Sequence, residues 1–127
     1  MSYLENWFDY TRRQVELEAL LEQTIAELSD QSLTLKEFYL LYFLNLATGK
    51  SLRQIDLPDK LHLSPSAVSR MIARLEEKQL GLLSRKCCDK DKRARFICLT
   101  TKGQMTLAQL QTAIEEKLAE TASFLSN

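Results

Sequence analysis

The spacing of the apolar residues changes at Leu82, and this change limits the architectures that the chain can adopt. Before Leu82 the apolar residues recur three or four positions apart, which predicts a series of α-helices. Beyond it, the short apolar runs Leu82–Leu83 and Phe96–Leu99 flank the charged stretch Asp89–Lys92, a pattern typical of a β-hairpin with a charged tip. Helical spacing returns after Thr100. We therefore predict a mainly α-helical chain with one small β-hairpin.

Three helices are predicted in the N-terminal half of the chain. The first spans Tyr3–Leu28, and the second begins after Thr34. Ser51 can cap a third helix that runs from Leu52 to about Leu61. Pro58 should kink or split this third helix, because proline lacks a backbone donor and clashes with the preceding turn.

Two further helices are predicted on either side of the hairpin. Ser64 can cap the fourth helix, and Pro65 suits its first position, where the missing N–H has no partner to lose. This helix should run to about Leu80. The fifth helix begins at Thr100 or Thr101. Three compact helices followed by a basic hairpin are the arrangement of a winged helix-turn-helix.

The length of 127 residues favours a single domain, 1–127. We divide it into an N-terminal helix (1–30), the winged helix-turn-helix (31–100) and a C-terminal helix (101–127). There is no apolar run of the ~18 residues that a membrane span needs, and no secretory signal, so a cytoplasmic protein is expected. The chain shows no nucleophile–base pair, phosphate loop or spaced set of metal ligands, so we predict no enzyme activity, cofactor or metal site.

The net charge of zero hides an uneven charge distribution. Residues 50–102 carry thirteen Lys and Arg against six Asp and Glu, whereas residues 1–49 and 103–127 are both acidic overall. A basic centre is the electrostatic pattern of a nucleic-acid-binding surface, and accidental charge patterning is the alternative.

The fourth helix has two contrasting faces when successive residues are placed ~100° apart. Its predicted core face holds Val68, Met71, Ile72, Leu75 and Gln79. Its outer face holds Ser66, Ser69, Arg70, Ala73, Arg74 and Glu77. Small side chains let a helix approach the DNA major groove closely, and arginine can bond guanine or phosphate. With Ser64 at the cap, this outer face is a candidate DNA-reading surface; a solvated helix face is the alternative.

The predicted hairpin is rich in cations. Those that we expect to contact DNA are Lys90, Lys92, Arg93 and Arg95. Such a wing can follow the phosphate backbone and insert an arginine into a narrow minor groove. Asp91 lies two residues before Arg93 and can hold its guanidinium in position. The alternative is a solvated turn with an internal Asp–Arg pair.

Several motifs, taken together and in this order, resemble the multiple antibiotic resistance regulator (MarR) family. They are Ser64–Arg70, Arg74–Lys78, Arg85 with Asp91–Arg93, and Leu99–Gly103. The resemblance covers about residues 30–105, and its most specific part is Asp91 and Arg93 followed by Leu99, Thr100 and Gly103.

The resemblance implies a homodimeric transcriptional regulator that binds a pseudo-palindromic operator in double-stranded DNA. The fourth helix would lie in the major groove and Arg93 in the minor groove, and the first and last helices would form the dimer. Members usually repress transcription and often release DNA on binding a small molecule or on oxidation. The alternative function is a winged-helix module that binds protein and has lost DNA contact.

The three cysteines fit a reducing compartment better than a disulfide-stapled fold. Cys87 and Cys88 lie among the hairpin cations, which favour the reactive thiolate form. We therefore treat both as candidate redox-sensing residues, with ordinary thiols as the alternative. Cys98 is expected to be a packed cysteine.

Overall fold

The structure is a computed structural model that describes residues 2–29, 32–85 and 95–121. The chain divides into two compact units, Met1–Leu35 with Leu110–Asn127 and Lys36–Gln109. Helices predominate, and a small three-stranded antiparallel sheet accompanies them, which confirms the predicted fold class. That residues 1–127 form a single domain stays a prediction.

The first unit contains helix α1 (Tyr3–Leu28), whose ends match the prediction. Ser2 caps it: the Ser2 hydroxyl accepts from the backbone N–H of Glu5, and the Glu5 carboxylate accepts from the backbone N–H of Ser2. This reciprocal pair satisfies two amides that the helix itself leaves unbonded. The apolar spacing along α1 buries Leu21 and Ile25 near its C-terminal end.

The first unit also includes the start of helix α2 (Leu35–Leu46). The Glu22 carboxylate accepts from the backbone N–H of Leu35 at 2.8 Å, which gives a partner to one of the unbonded amides of the first turn of α2. Helix α5 (Thr101–Glu120) contributes its C-terminal half to this unit, with Leu110 and Ile114 buried. No helix in the described part of the chain has the length and apolar content needed to cross a membrane.

The second unit contains the rest of α2 and the helices α3 (Leu57–Leu61) and α4 (Pro65–Glu76). Its sheet consists of β1 (Ser51–Arg53), β2 (Leu83–Ser84) and β3 (Phe96–Leu99). The core of this unit consists of aliphatic side chains, several of them fully buried. Its most buried members are Leu40, Leu41, Leu44, Leu57, Val68, Ile72, Leu75, Leu82 and Ile97.

The prediction of a helix from Leu52 to Leu61 is wrong over its first half. Ser51–Arg53 form strand β1, Gln54–Asp56 form one turn of 3₁₀-helix, and only Leu57–Leu61 are α-helical. The expected split near Pro58 is present, and Pro58 lies in the first turn of α3, where its missing N–H is tolerated. Strand β1 forms because its backbone pairs with β3, a contact that local spacing does not reveal.

The fourth helix is shorter than predicted, because α4 ends at Glu76 and not near Leu80. The chain then turns back on the helix: the backbone N–H of Gly81 donates to the Glu77 carbonyl at 2.6 Å, and that of Leu82 donates to the Leu75 carbonyl at 2.9 Å. Gly81 has a φ of 60°, a left-handed conformation that residues with a Cβ rarely adopt.

The predicted hairpin is confirmed, and β1 adds a third strand to it in the order β1-β3-β2. Leu83 lies opposite Leu99, and Ser51 lies opposite Cys98. Ile97 and Leu99 are buried, whereas Cys98 on the opposite face is only half-buried. The alternation of side chains along β3 therefore turns Ile97 and Leu99 toward the core.

Thr100, the residue before α5, is hydrogen-bonded to the loop that precedes β2. The Thr100 backbone N–H donates to the Leu82 carbonyl, and the Thr100 hydroxyl donates to the Gly81 carbonyl. The same hydroxyl accepts from the backbone N–H of Gly103 at 2.9 Å. A Cβ at Gly103 would overlap the Leu82 carbonyl oxygen, so this approach requires glycine. The Leu99–Gly103 motif thus joins the base of the hairpin to α5.

Candidate nucleic-acid interface

Helix α4 begins at a capped N-terminus, as predicted. The Ser64 hydroxyl accepts from the backbone N–H of Ala67 at 3.1 Å, and Pro65 occupies the first turn. The Ser64 and Ser66 hydroxyls lie 3.3 Å apart, and both side chains are exposed. The amino end of the helix therefore presents two hydroxyls next to its partial positive charge.

The two predicted faces of α4 are present. Val68, Ile72 and Leu75 are buried on one side. The exposed positions that we predicted to contact DNA are Ser66, Ser69, Arg70 and Ala73. Gln79 does not belong to the core face, because it lies beyond the end of α4 and is exposed. The outer face thus combines small side chains with the exposed Arg70 and the partly exposed Arg74.

Arg74 occupies a different environment from Arg70. Its guanidinium lies 2.6 Å from the carboxylate of Glu37, a residue of α2 whose side chain is only 5% exposed. Arg74 therefore joins α4 to α2. Sequence spacing did not indicate this partner, because Glu37 lies far away along the chain.

The turn between α3 and α4 is tight. His62 adopts a left-handed conformation with a φ of 56°, and the backbone N–H of Leu63 donates to the Pro58 carbonyl at 3.1 Å. The Lys36 ammonium donates to the Leu61 carbonyl at 2.7 Å, which satisfies one of the last carbonyls of α3. His62 therefore lies in the turn that follows α3.

Most of the predicted wing contacts lie outside the described residues. This holds for Lys90, Asp91, Lys92 and Arg93, and equally for the candidate redox residues Cys87 and Cys88. Arg95 is described: its side chain is exposed, and its carbonyl accepts from the backbone N–H of Gln54 at 2.8 Å. The DNA contacts and redox roles of all these residues stay predictions.

Sequence reasoning missed a chain of hydrogen bonds that joins α4 to the base of the hairpin. The Arg85 Nε donates to both carboxylate oxygens of Glu76, at 3.0 and 3.1 Å. The Arg85 Nη1 donates to the Gln54 Oε1 at 3.0 Å, and the Gln54 Nε2 donates to the Ser69 Oγ at 3.1 Å. The sequence motifs included Arg85, but nothing local indicated Gln54 as its partner.

A cleft of about 470 Å³ opens beside the N-terminal half of α4. Two arginines, Arg53 and Arg95, contribute positive charge to it. Its other lining residues are Gln54, Ile55, Pro58, Pro65, Val68 and Ser69. The outer face of α4 and the base of the hairpin therefore adjoin one concave basic surface.

Cys98 differs from the packed thiol that we expected, because it is disulfide-bonded. Its sulfur also lies 3.3 Å from the carbonyl oxygen of Ser84 on the neighbouring strand. Cys98 is thus held on the half-buried face of β3 as part of a disulfide.

Comparison with known families gives a match to the model of the MarR family over residues 33–94. This range contains α3, α4 and the cationic hairpin segment, and it confirms the resemblance seen in the motifs. The MarR family consists of transcription regulators, so the prediction that the chain is not an enzyme is confirmed at the level of the family.

Solved structures of MarR family regulators share the fold. AbsC from Streptomyces coelicolor has a TM-score of 0.80 and 24% identity, covering 94% of this chain and 79% of its own. Sco3205 from the same organism, in complex with DNA, has a TM-score of 0.79 and 25% identity, covering 92% and 71%. A cysteine-to-serine mutant of MarR from E. coli, complexed with operator DNA, has a TM-score of 0.72 and 21% identity, covering 95% and 84%.

Proposed function

We propose that this chain, whose residues 33–94 match the model of the MarR family, is a member of that family and a transcriptional regulator that binds double-stranded DNA through α4 and the hairpin wing. The observation that carries the proposal is the exposed outer face of α4. Ser66, Ser69, Arg70 and Ala73 are all open to solvent on the side opposite the buried Val68, Ile72 and Leu75. Two structural relatives, Sco3205 and the E. coli MarR mutant, are complexes with DNA.

The outer face of α4 has the chemistry that a major groove requires. Ala73 and the two serines let the helix approach closely, and Ala73 can contact a thymine methyl group. Arg70 can donate a pair of hydrogen bonds to guanine or to phosphate. The capped N-terminus of α4 adds a partial positive charge that favours a phosphate there.

The wing supplies the second set of contacts in this proposal. Arg93 would enter the minor groove, held by Asp91, while Lys90, Lys92 and Arg95 would follow the phosphates. Arg95 is exposed beside the cleft at the start of β3, which places its charge on the same side of the domain as Ser69. The net positive charge of residues 50–102 supports this assignment.

The regulator acts as a homodimer in this proposal. Helix α1 carries large apolar side chains at one helical spacing that remain exposed in the isolated chain: Leu4 at 63%, Trp7 at 58%, Phe8 at 62% and Val15 at 65%. An apolar stripe of this kind is the usual mark of a protein interface. A two-fold dimer would place two α4 helices about 34 Å apart, one DNA turn, on a pseudo-palindromic operator.

The output proposed for the dimer is repression of transcription, relieved by a small-molecule effector or by oxidation. Cys87 and Cys88 stay the candidate redox residues, because lysines and arginines surround them in the sequence and favour the thiolate. Because Cys98 is disulfide-bonded, the purified protein is first fully reduced. Peroxide treatment of the reduced protein should then weaken operator binding, and the Cys87→Ser/Cys88→Ser variant should resist it. Unchanged binding after proven modification of both thiols would refute the redox branch.

Selection of bound fragments from genomic DNA with the purified protein tests the proposed function. We expect enrichment of a palindromic sequence with half-sites about one helical turn apart. The Arg70→Ala/Arg93→Ala variant is the matched control, since it keeps the buried face of α4 and should enrich no sequence. A folded wild-type protein that retains no DNA would favour the alternative, a winged-helix module that binds protein.

A further inference from the structure

The chain of hydrogen bonds from Glu76 to Ser69 has a fixed direction. A guanidinium can only donate, so the oxygen of the Gln54 amide faces Arg85, 3.0 Å away. The amide nitrogen must then face Ser69, and it donates to the Ser69 Oγ at 3.1 Å. The Ser69 oxygen is thereby used as an acceptor inside the protein, and its own O–H can be donated outward.

The ion pair between Arg85 and Glu76 fixes the other end of this chain of hydrogen bonds. Glu76, at the last turn of α4, accepts from the Arg85 Nε with both carboxylate oxygens and so holds the plane of the guanidinium. The Arg85 and Glu76 side chains are 39% and 29% exposed, so solvent screens their attraction only in part. Hydrogen bonds in such a chain polarise one another, which strengthens the donation by the last member.

Gln54 is also fixed through its backbone. Its N–H donates to the Arg95 carbonyl at 2.8 Å, one residue beyond the pairing of Arg53 with Phe96, and so extends the β1–β3 ladder. Its side chain reaches α4 on one side and Arg85, just after β2, on the other. Gln54 therefore connects α4, the proposed DNA-reading helix, with both strands of the wing.

We propose that Gln54 and Arg85 are positioning residues for DNA binding, which orient the Ser69 hydroxyl as a hydrogen-bond donor toward the nucleic acid. This inference rests on the proposed function. DNA offers acceptors to such a donor at its phosphate oxygens, at purine N7 and at guanine O6. Gln54 itself makes no DNA contact in this scheme and acts through Ser69.

A double-mutant cycle in operator binding tests the proposal. Gln54→Met removes both side-chain hydrogen bonds while keeping length and charge, and we expect it to raise the operator Kd by about tenfold, as does Ser69→Ala. Because Gln54 acts through Ser69, the double variant should bind no worse than Ser69→Ala alone. The salt dependence of binding should not change with Gln54→Met, because neither Gln54 nor Ser69 carries a charge.

Ser66→Ala provides the matched control, since Ser66 is exposed on the same face and is not part of this chain of hydrogen bonds. Its effect should add to that of Gln54→Met. If the loss of operator affinity in Gln54→Met added fully to that of Ser69→Ala, as it does to that of Ser66→Ala, Gln54 would not act through Ser69. This result would overturn the positioning role. So would a change of base preference on Gln54→Met in the Ser69→Ala background, since this would make Gln54 a direct contact.

A measurement without DNA separates this inference from the proposed function. The side-chain amide signals of Gln54 in a ¹H–¹⁵N spectrum should shift on Arg85→Met and on Ser69→Ala, and not on Ser66→Ala. If they do not shift, the chain of bonds is absent and the inference fails, even for a protein that binds DNA. If they shift but wild-type protein selects no DNA, the proposed function fails and the positioning role fails with it.

Discussion

The guanidinium of Arg74 lies 2.6 Å from the carboxylate of Glu37, which the fold buries to 5% exposure. The pair joins the reading helix α4 to α2, whereas Arg70, one turn earlier on α4, points to solvent. Two arginines that look equivalent in the sequence therefore have different environments. Arg74 is paired within the domain and stays partly exposed, whereas Arg70 is exposed and open to a ligand.

We predict that Arg74→Ala lowers the free energy of unfolding by about 1–3 kcal/mol, because a nearly buried carboxylate loses a charged partner. Arg70→Ala should change stability by less than about 0.5 kcal/mol, as expected for an exposed side chain. Urea denaturation of both variants measures the difference. Equal stability of the two would show that the Arg74–Glu37 pair contributes nothing to the fold.

Gly103→Ala should destabilise the protein, by about 1–3 kcal/mol. Replacing glycine by alanine inside an exposed helix normally stabilises it by about 1 kcal/mol. The sign should reverse at Gly103 because a Cβ would overlap the Leu82 carbonyl oxygen and lie 2.7 Å from the Leu99 Cδ1. Gln104→Ala, at the exposed neighbouring position, is the control. A thermal melt in which Gly103→Ala unfolds above wild type would contradict the close packing.

The wing residues should differ in how their loss affects DNA binding. Arg93→Ala should weaken operator binding by roughly 1–3 kcal/mol and relax the preference for a narrow minor groove. Lys90→Ala and Lys92→Ala should each make the plot of log K against the logarithm of salt concentration less steep, by about one unit of slope. The reason is that each variant removes a phosphate contact. Titrations at several salt concentrations separate the two effects. Wild-type affinity in the Arg93→Ala variant would remove the wing from the interface.

The exposed stripe on α1 should control assembly. Trp7→Asp with Phe8→Asp places two charges on a surface that a dimer would bury, and we expect a shift from dimer to monomer. Both side chains are more than half exposed in the isolated chain, so the fold should survive. Sedimentation equilibrium gives the mass, and Gln14→Asp, also exposed on α1, is the control. A wild-type protein that is already monomeric would contradict the proposed assembly.

The sequence predicted the elements that are determined by residue patterns close together along the chain. The ends of α1, the start of α4 with its serine cap, and the hairpin all follow from apolar spacing, capping residues and turn composition. The two faces of α4 were predicted for the same reason, since a helix places residues on a face by their spacing alone.

Only the tertiary structure decided the features that depend on distant partners. Strand β1 exists because Ser51–Arg53 pair with Phe96–Cys98, and three residues carry too little periodicity to distinguish a strand from a helix turn. The same holds for Arg74 and Gln54. Their neighbours lie on other elements, so spacing along the chain could show an arginine on a helix face but not the carboxylate that holds it. The sequence by itself determined which surface faces outward, and the packing decided which of its side chains are already engaged.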